Sequence, residues 1–383
     1  MMNPQRGSEP QLRQGAHHAT NGGTYTYEPS GVEIPPTRAH LMAQWKGPWH
    51  LLPVGLILIA ALVIAVGGII RIYDAGESCP DWPTCFGTWG FDVSPEEQAI
   101  WWENNPEEID SRGADHRYTT FEIFTEWIHR AIAGALLGPL VILQYLIVRA
   151  QRESLANRTH TLALLSLILV IWQGFLGYIT VKWDNEHWSV ALHLASALIF
   201  TLALIGLWIS WRKDNGYHWN LGSGPRTLAH LRFSALSTLI VLFVGAFVST
   251  TENANVACGV SGFPDSWPLC SGGLGILVQD IIAQSQFIHR WLVLIVGIIL
   301  LRIWITRSEW TPEIRTQQLM SLGIGLYGFN VLLGGAYVLS WTADSGFIEW
   351  ISVLHLLLAS VIFLVFSSAI LMIRIDAADS EEE

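Results

Sequence analysis

The fold is decided by the stretch LLPVGLILIAALVIAVGGIIRI at residues 51–72, in which Arg71 is the single charged side chain. As a helix, an apolar run of this length crosses the roughly 30 Å hydrocarbon core of a bilayer. Similar runs recur along the 383-residue chain at 126–149, 161–181, 188–211, 229–250, 285–305, 318–340 and 348–374. No alternation of polar and apolar residues indicates a membrane barrel. The pattern therefore predicts an all-α integral membrane protein with eight transmembrane helices.

Basic residues in the connections predict the orientation, because cytoplasmic loops of membrane proteins are enriched in Lys and Arg. The connections after the second, fourth and sixth runs contain Arg149, Arg152, Arg158, Arg212, Lys213, Arg226, Arg232, Arg302, Arg307 and Arg315. The opposite side has Arg71, Arg112, Arg117 and Lys182. We expect both termini to be cytoplasmic and the loops after the first, third, fifth and seventh helices to face outward.

Five short motifs occur twice, in the same order, along the two halves of the chain. The first copies are Val66-Gly67-Gly68, the loop at 80–85, Ile128-His129-Arg130, Gln173-x-x-Leu176-Gly177 and Leu192-His193-Leu194. The second copies are Val244-Gly245-Ala246, the loop at 264–270, Ile288-His289-Arg290, Asn330-x-x-Leu333-Gly334 and Leu354-His355-Leu356. Four helices return the chain to the side where it started. We therefore expect two pseudo-symmetric four-helix bundles, related as a parallel repeat by an axis along the membrane normal.

These features divide the chain into five segments. Residues 1–45 are polar and lack the apolar core of a signal peptide, so they are predicted to be a disordered cytoplasmic tail. Residues 46–213 should form the first bundle, 214–228 a linker, 229–374 the second bundle and 375–383 an acidic tail. Much of the net charge of −11 lies in that tail and in the loop at 92–126. The sequence has no cluster of basic residues of the kind that binds nucleic acid, so a nucleic-acid partner is not expected.

Four of the 13 histidines lie in or at the ends of apolar runs and also recur between the halves: His129, His193, His289 and His355. An ionisable group inside a membrane helix is costly and usually marks a functional site. Within each half the two helices run parallel, so their imidazoles can face each other and supply both axial ligands of a heme iron. Zinc is disfavoured, because no further Cys, Asp or Glu lies at that depth in both halves. The alternative is interhelical hydrogen bonding by neutral histidines.

The polar residues beside these histidines differ between the halves. Arg130 and Arg290 each follow the first histidine of a pair, where a guanidinium can bind a heme propionate or snorkel at a helix end. Glu126 precedes His129 by one turn, whereas the second half has Gln286 at that place. A carboxylate accepts protons and stabilises cationic charge, so chemistry is expected in the first half. The alternative role of Glu126 is an ion pair with Arg130, four residues on.

All four cysteines fall in outward loops, as the pairs Cys79/Cys85 and Cys258/Cys270. Because the outer compartment is oxidising, we expect one disulfide in each loop. A zinc site is disfavoured, since the pairs belong to separate halves. Each bridge has either a structural role or exchanges with external thiols, and the first is also placed to act as a lid or a reductant relay.

Several motifs of the first half occur in an order that is typical of one enzyme family. The run Gly67-Gly68-Ile69-Ile70-Arg71 is followed by Cys79-Pro80-Asp81-Trp82-Pro83-Thr84-Cys85-Phe86-Gly87. Further on come Glu126-Trp127-Ile128-His129-Arg130, Gln173-x-x-Leu176-Gly177-x-x-Thr180-Val181 and His193. Together they resemble the first four helices and the first outer loop of the heme A synthase family, including its Glu-x-x-His-Arg motif. The resemblance covers about 46–374, and the paired loop cysteines match bacterial members.

The resemblance implies an oxidoreductase of the bacterial plasma membrane. It would oxidise the C8 methyl of heme O to the formyl of heme A by successive hydroxylations, for use in heme-copper terminal oxidases. His129 and His193 would bracket the substrate heme O, Glu126 would be the catalytic carboxylate, and His289 and His355 would hold a heme b. The expected partners are heme O and heme A, membrane lipid, heme O synthase and a thiol-disulfide or quinone redox partner.

Two departures from the family pattern concern the first outer loop. Residues 72–78 are less rich in Gly and Ser than the family pattern, and the loop at 87–125 is long and acidic. For that loop we expect an amphipathic helix on the outer face. If two histidines hold each iron, no position is open for dioxygen. Either one histidine leaves its iron, or the methyl is oxidised by removal of electrons through the porphyrin with water attacking, and we expect the second.

Two rival functions share the four histidines. The first is a di-heme membrane cytochrome b subunit that relays electrons; it needs neither the Glu126/Gln286 difference nor the cysteine loops. The second is a heme transporter, for which we would expect looser ligation and a path across the membrane.

Overall fold

The computed structural model describes residues 48–222, 224–251, 253–273 and 281–377. Within these ranges, eight helices are long and apolar enough to cross a membrane. They are α1 (Leu52–Ile72), α2 (Thr120–Ala150), α3 (Asn157–Lys182), α4 (His187–Asp214), α5 (Pro225–Thr250), α6 (Ile281–Ile305), α7 (Ile314–Leu339) and α8 (Glu349–Ala377). The described residues otherwise form short helices, turns and isolated bridges, without a strand. The all-α multi-pass membrane fold is confirmed.

Two helices begin several residues before the predicted apolar runs. α2 begins at Thr120 instead of 126, because Thr119 and Glu122 form a capping box that satisfies the first free N–H groups. α5 begins at Pro225 instead of 229, since proline suits the first helical turn. Of the predicted linker at 214–228, Asp214 belongs to α4 and residues 225–228 belong to α5. α8 includes residues 375–377, while the predicted tail at 1–45 and the rest of the acidic tail lie outside the described residues.

The second helix is not uniform. It consists of the α-helical segments Thr120–Ala131 and Gly138–Ala150, with the π-helical segment Ile132–Leu137 between them. π-Helical turns are rare and occur frequently at functional sites. The corresponding helix of the second half, α6, is α-helical from Ile281 to Ile305. The first half thus departs from regular helix geometry directly after His129.

The two halves pack against each other along α1, α4, α5 and α8. One close contact is at Gly68, where an added Cβ would lie 3.3 Å from Cδ2 of Leu356. The guanidinium of Arg71 donates a hydrogen bond of 3.3 Å to the carbonyl of Ser249, which joins the ends of α1 and α5. The loops that follow these two helices therefore begin on one side of the molecule.

Both expected disulfides, Cys79–Cys85 and Cys258–Cys270, are formed in these loops. We refer to their side of the molecule as the disulfide side. The first loop also contains the helix Pro95–Asn104, which occupies the acidic segment where a helix was expected. It packs its Trp102 into a buried cluster that includes the first disulfide, Phe86, Val93, Tyr118 and Ile123. This cluster fixes the loop above the start of α2.

Candidate functional site

Each of the four candidate histidines lies within about three turns of the start of its helix, on the disulfide side. Each imidazole contacts a glycine of the helix that precedes it in the chain. The pairs, with the distance from a Cβ added at the glycine to the imidazole, are Gly67/His129 (3.3 Å), Gly177/His193 (3.3 Å), Gly245/His289 (2.9 Å) and Gly334/His355 (2.9 Å). A side chain at any of these glycines would press on the imidazole. All four glycines belong to the repeated sequence motifs, and the structure shows that they contact the imidazoles.

The histidines come together in two pairs, one in each half. His129 and His193 are close enough for their charges to interact, and so are His289 and His355. In the described ranges, no group of three or more His, Cys, Asp or Glu side chains is placed to share a metal ion. The donor set of each site is therefore two imidazoles, which suits a metal whose remaining ligands come from a porphyrin.

The four imidazoles differ in the partners of their ring nitrogen atoms. Nδ1 of His355 bonds to the carbonyl of Asn330 at 2.9 Å, an arrangement that leaves Nε2 available to a metal. The imidazole of His129 lies close to the backbone of Val63 on α1. Nδ1 of His193 and of His289 is buried without a hydrogen-bond partner among the described residues. Both pairs thus retain buried nitrogen atoms that fit the axial ligation of a heme.

Glu126 is buried beside the first pair and is held by three donors. Its Oε2 accepts hydrogen bonds from the N–H of Cys79 at 2.8 Å and from the hydroxyl of Ser78 at 3.0 Å. Its Oε1 lies 2.5 Å from Nη2 of Arg130. The ion pair considered as the alternative role is therefore present. The carboxylate also fastens the first disulfide loop to α2, which the sequence did not indicate.

The two arginines that follow the first histidines bind the disulfide loops. Nη1 of Arg130 donates to the carbonyls of Asp81 at 2.5 Å and Thr84 at 3.1 Å, and its Nη2 donates to the carbonyl of Cys79 at 2.6 Å. The guanidinium thereby satisfies three carbonyls of one tight loop. The sequence did not predict these contacts with the loop. Its one indication of them is that each half has both a His-Arg dipeptide and a cysteine loop.

Arg290 has the same arrangement in the second half, but one of its nitrogens remains free for another partner. Its Nη1 donates to the carbonyls of Ser266 at 2.8 Å and Leu269 at 2.6 Å. Its Nη2 is buried and has no partner among the described residues. A heme propionate is the kind of acceptor that this nitrogen lacks.

The first loop also carries a polar network outside the membrane-spanning helices. The carboxylate of Glu77 is buried, accepts a hydrogen bond of 3.0 Å from the hydroxyl of Ser111 and lies near Arg112. Burial raises the pKa of Glu77 above its ordinary value, and the hydrogen bond from Ser111 opposes this only in part. Arg112 in turn forms an ion pair of 3.0 Å with Asp74. These contacts tie the loop to the end of α1.

Comparison with known proteins identifies the family. The family model described as COX15-CtaA, cytochrome oxidase assembly protein, matches residues 50–367. Similar curated proteins include the heme A synthase of Shouchella clausii (strain KSM-K16), 27% identical over 323 residues, or 82% of this chain and 92% of that protein. Another is the heme A synthase of Novosphingobium aromaticivorans, 28% identical over 358 residues, or 85% and 93%. With its eight apolar helices, the chain is a multi-pass protein of the bacterial plasma membrane. It belongs to the COX15-CtaA family of cytochrome oxidase assembly proteins.

Proposed function

We propose that the protein is a heme A synthase, which oxidises the C8 methyl group of heme O to a formyl group by successive hydroxylations. The observation that carries the proposal is the inequality of two otherwise matched histidine pairs. Only the first pair has a buried carboxylate, Glu126, one turn from a histidine. The relatives named heme A synthase, which align with most of the chain, support the same assignment.

In this proposal the first half holds the substrate and the second half holds a cofactor. His129 and His193 would bind heme O, and His289 and His355 would hold a heme b, which supplies one-electron redox chemistry when bound. The free Nη2 of Arg290 supports propionate binding in the second half. Arg130 would contribute mainly by holding the first disulfide loop, since its Nη atoms already contact three carbonyls.

Glu126 would act as the catalytic carboxylate. When water supplies the oxygen, conversion of a methyl to a formyl group releases protons and electrons in equal number. The quinone or disulfide redox partner would take up the electrons, and the buried carboxylate of Glu126 would accept a proton. A negative charge there also stabilises cationic character on the porphyrin. The hydrogen bonds from Cys79 and Ser78 hold the carboxylate at a fixed position. We expect isotopically labelled water, and not labelled dioxygen, to label the formyl oxygen.

The decisive experiment is acid extraction and chromatography of the hemes bound to the purified full-length protein. We expect heme b together with heme O or heme A, and formation of heme A in cells that also contain heme O synthase. Heme b alone, with no heme A formed, would contradict the proposal and favour the di-heme cytochrome b relay.

A further inference from the structure

A groove on the membrane-facing surface borders the proposed substrate site. It lies between α3 and α4, has a cavity volume of about 150 Å³ and opens to the surroundings. Two aromatic pairs line it: Trp172 with Phe175, at 5.5 Å between ring centroids, and Trp183 with Trp188, at 5.0 Å. An open, aromatic-lined groove of this kind suits part of a chain-like apolar ligand.

The surface that the groove offers to a ligand is apolar. Thr180 and Ser189 are its hydroxyl side chains, and each donates within its own helix region, to the carbonyls of Leu176 and Glu186. No charged side chain lines it. A carboxylate or another charged group would lose its hydration here without gaining a partner, whereas a hydrocarbon chain would not.

The groove directly adjoins the residues of the first histidine pair. Leu176, which lines the groove, precedes Gly177, the glycine in contact with the imidazole of His193. On the other wall, Leu192 precedes His193 itself. The walls of the groove are thus one residue removed in the chain from His193 and from the glycine that contacts it.

The corresponding place in the second half is filled by the protein. By the repeat, Thr180 corresponds to Tyr337, three residues after Gly334. The Tyr337 side chain is buried, its ring lies 5.0 Å from that of Phe347, and its hydroxyl bonds to Glu349 at 3.2 Å and to Asn255 at 3.0 Å. The structure thus has an open groove at the proposed substrate site and a tyrosine at the proposed cofactor site.

The two disulfide loops also differ in how far they cover the neighbouring helix. An added Cβ at Gly335 of α7 would lie 2.7 Å from the ring of Trp267, so the second loop packs onto that helix. The corresponding Trp82 of the first loop is 62% exposed, and Tyr178, the counterpart of Gly335, is 46% exposed. The first half therefore leaves this side of α3 uncovered by its loop.

We propose that the groove between α3 and α4 binds the isoprenoid chain of the substrate heme and admits it from the membrane. The inference rests on the proposed function, because heme O differs from heme B by such a chain. A substrate must enter and leave, which explains an open groove beside His193, while a resident cofactor is retained better behind a closed wall such as Tyr337. Aromatic side chains at both ends of the groove suit an unsaturated hydrocarbon chain.

The test fills the groove with the residue that the second half uses. Heme O and heme B are titrated separately into the full-length protein carrying its second-half heme, for the parent chain and for Thr180→Tyr. The parent should bind heme O more tightly than heme B, and Thr180→Tyr should reduce that preference by about tenfold or more, through weaker heme O binding with heme B binding retained. Ile168→Tyr, which adds the same ring at an exposed position of α3, should leave the preference unchanged.

Three results would overturn the inference: equal affinity of the parent for heme O and heme B, an equal loss of both ligands in Thr180→Tyr, or displacement of a co-purified lipid without a change in the preference. The second-half heme content reports whether the variant is folded. Failure of the proposed function would look different, because the parent itself would then form no heme A.

Discussion

The two halves of the molecule share a plan but differ in how firmly they are closed. In both, an arginine holds a disulfide loop by its carbonyls, and two imidazoles contact glycines of neighbouring helices. The first half adds a buried carboxylate, a π-helical segment and an open groove. The second half replaces the groove with Tyr337 and packs Trp267 over α7. From this difference we propose that the first copy of the unit exchanges its ligand and that the second retains it.

The largest expected effect comes from removing one histidine from each half. His129→Ala should abolish heme A formation while the second-half heme remains bound, and His289→Ala should remove that heme. The reason is that each iron would lose one of its two protein ligands. Heme extraction and absorption spectroscopy of the purified variants provide the measurement. If either variant lost heme from the other half only, the assignment of the halves would be reversed.

Exchange of the carboxylate for the amide of the other half should have the next largest effect. Glu126→Gln should reduce heme A formation by about a hundredfold or more, because general acid–base groups contribute about 10²–10⁴ in rate. Heme content of both halves should persist, since an amide can still accept hydrogen bonds from Ser78 and Cys79. The ratio of heme A to heme O in extracts measures the outcome.

The reciprocal change serves as the control for this prediction. Gln286→Glu introduces a carboxylate one turn before His289 and should not raise the yield of heme A, because the second half would hold a cofactor. Full activity of Glu126→Gln would remove the carboxylate from the mechanism and leave it a structural role in holding the loop.

A smaller effect should distinguish the glycine contacts of the two halves. An added Cβ lies 2.9 Å from His289 at Gly245, but 3.3 Å from His129 at Gly67. Gly245→Ala should therefore lower the free energy of unfolding by about 1–3 kcal/mol, as at other overpacked sites. Gly67→Ala should lower it by less. Thermal unfolding and the heme content of each half report the effect.

Gly55 provides the matched control, since an added Cβ there meets nothing within 4 Å on the same helix as Gly67. Gly55→Ala should be neutral or stabilise by up to about 1 kcal/mol, because alanine favours the helix. Equal changes in stability in all three variants would show that contact with the imidazoles does not determine the result.

The sequence predicts well the eight apolar helices of the described residues, because such helices depend on local signals, while the histidine pairs remain a prediction about ligand binding. Apolar runs fix the spans, and recurrence of a motif such as Ile128-His129-Arg130 marks the sites. The contacts of Arg130 with three carbonyls were not predictable, since they depend on the path of a loop some 46–51 residues earlier. The Thr180/Tyr337 difference is visible in the sequence, but its meaning requires the neighbours that bury the tyrosine.

Gly67 and Gly68 are consecutive, yet they contact different halves of the protein. The first lies against His129, and the second against Leu356, which follows His355 in the chain. A slip of α1 by one residue would rotate it by about 100° and move it by about 1.5 Å, so both glycines would leave their partners together. One turn of a single helix therefore contacts both candidate sites, and a shift of α1 along its axis would disturb the two sites together.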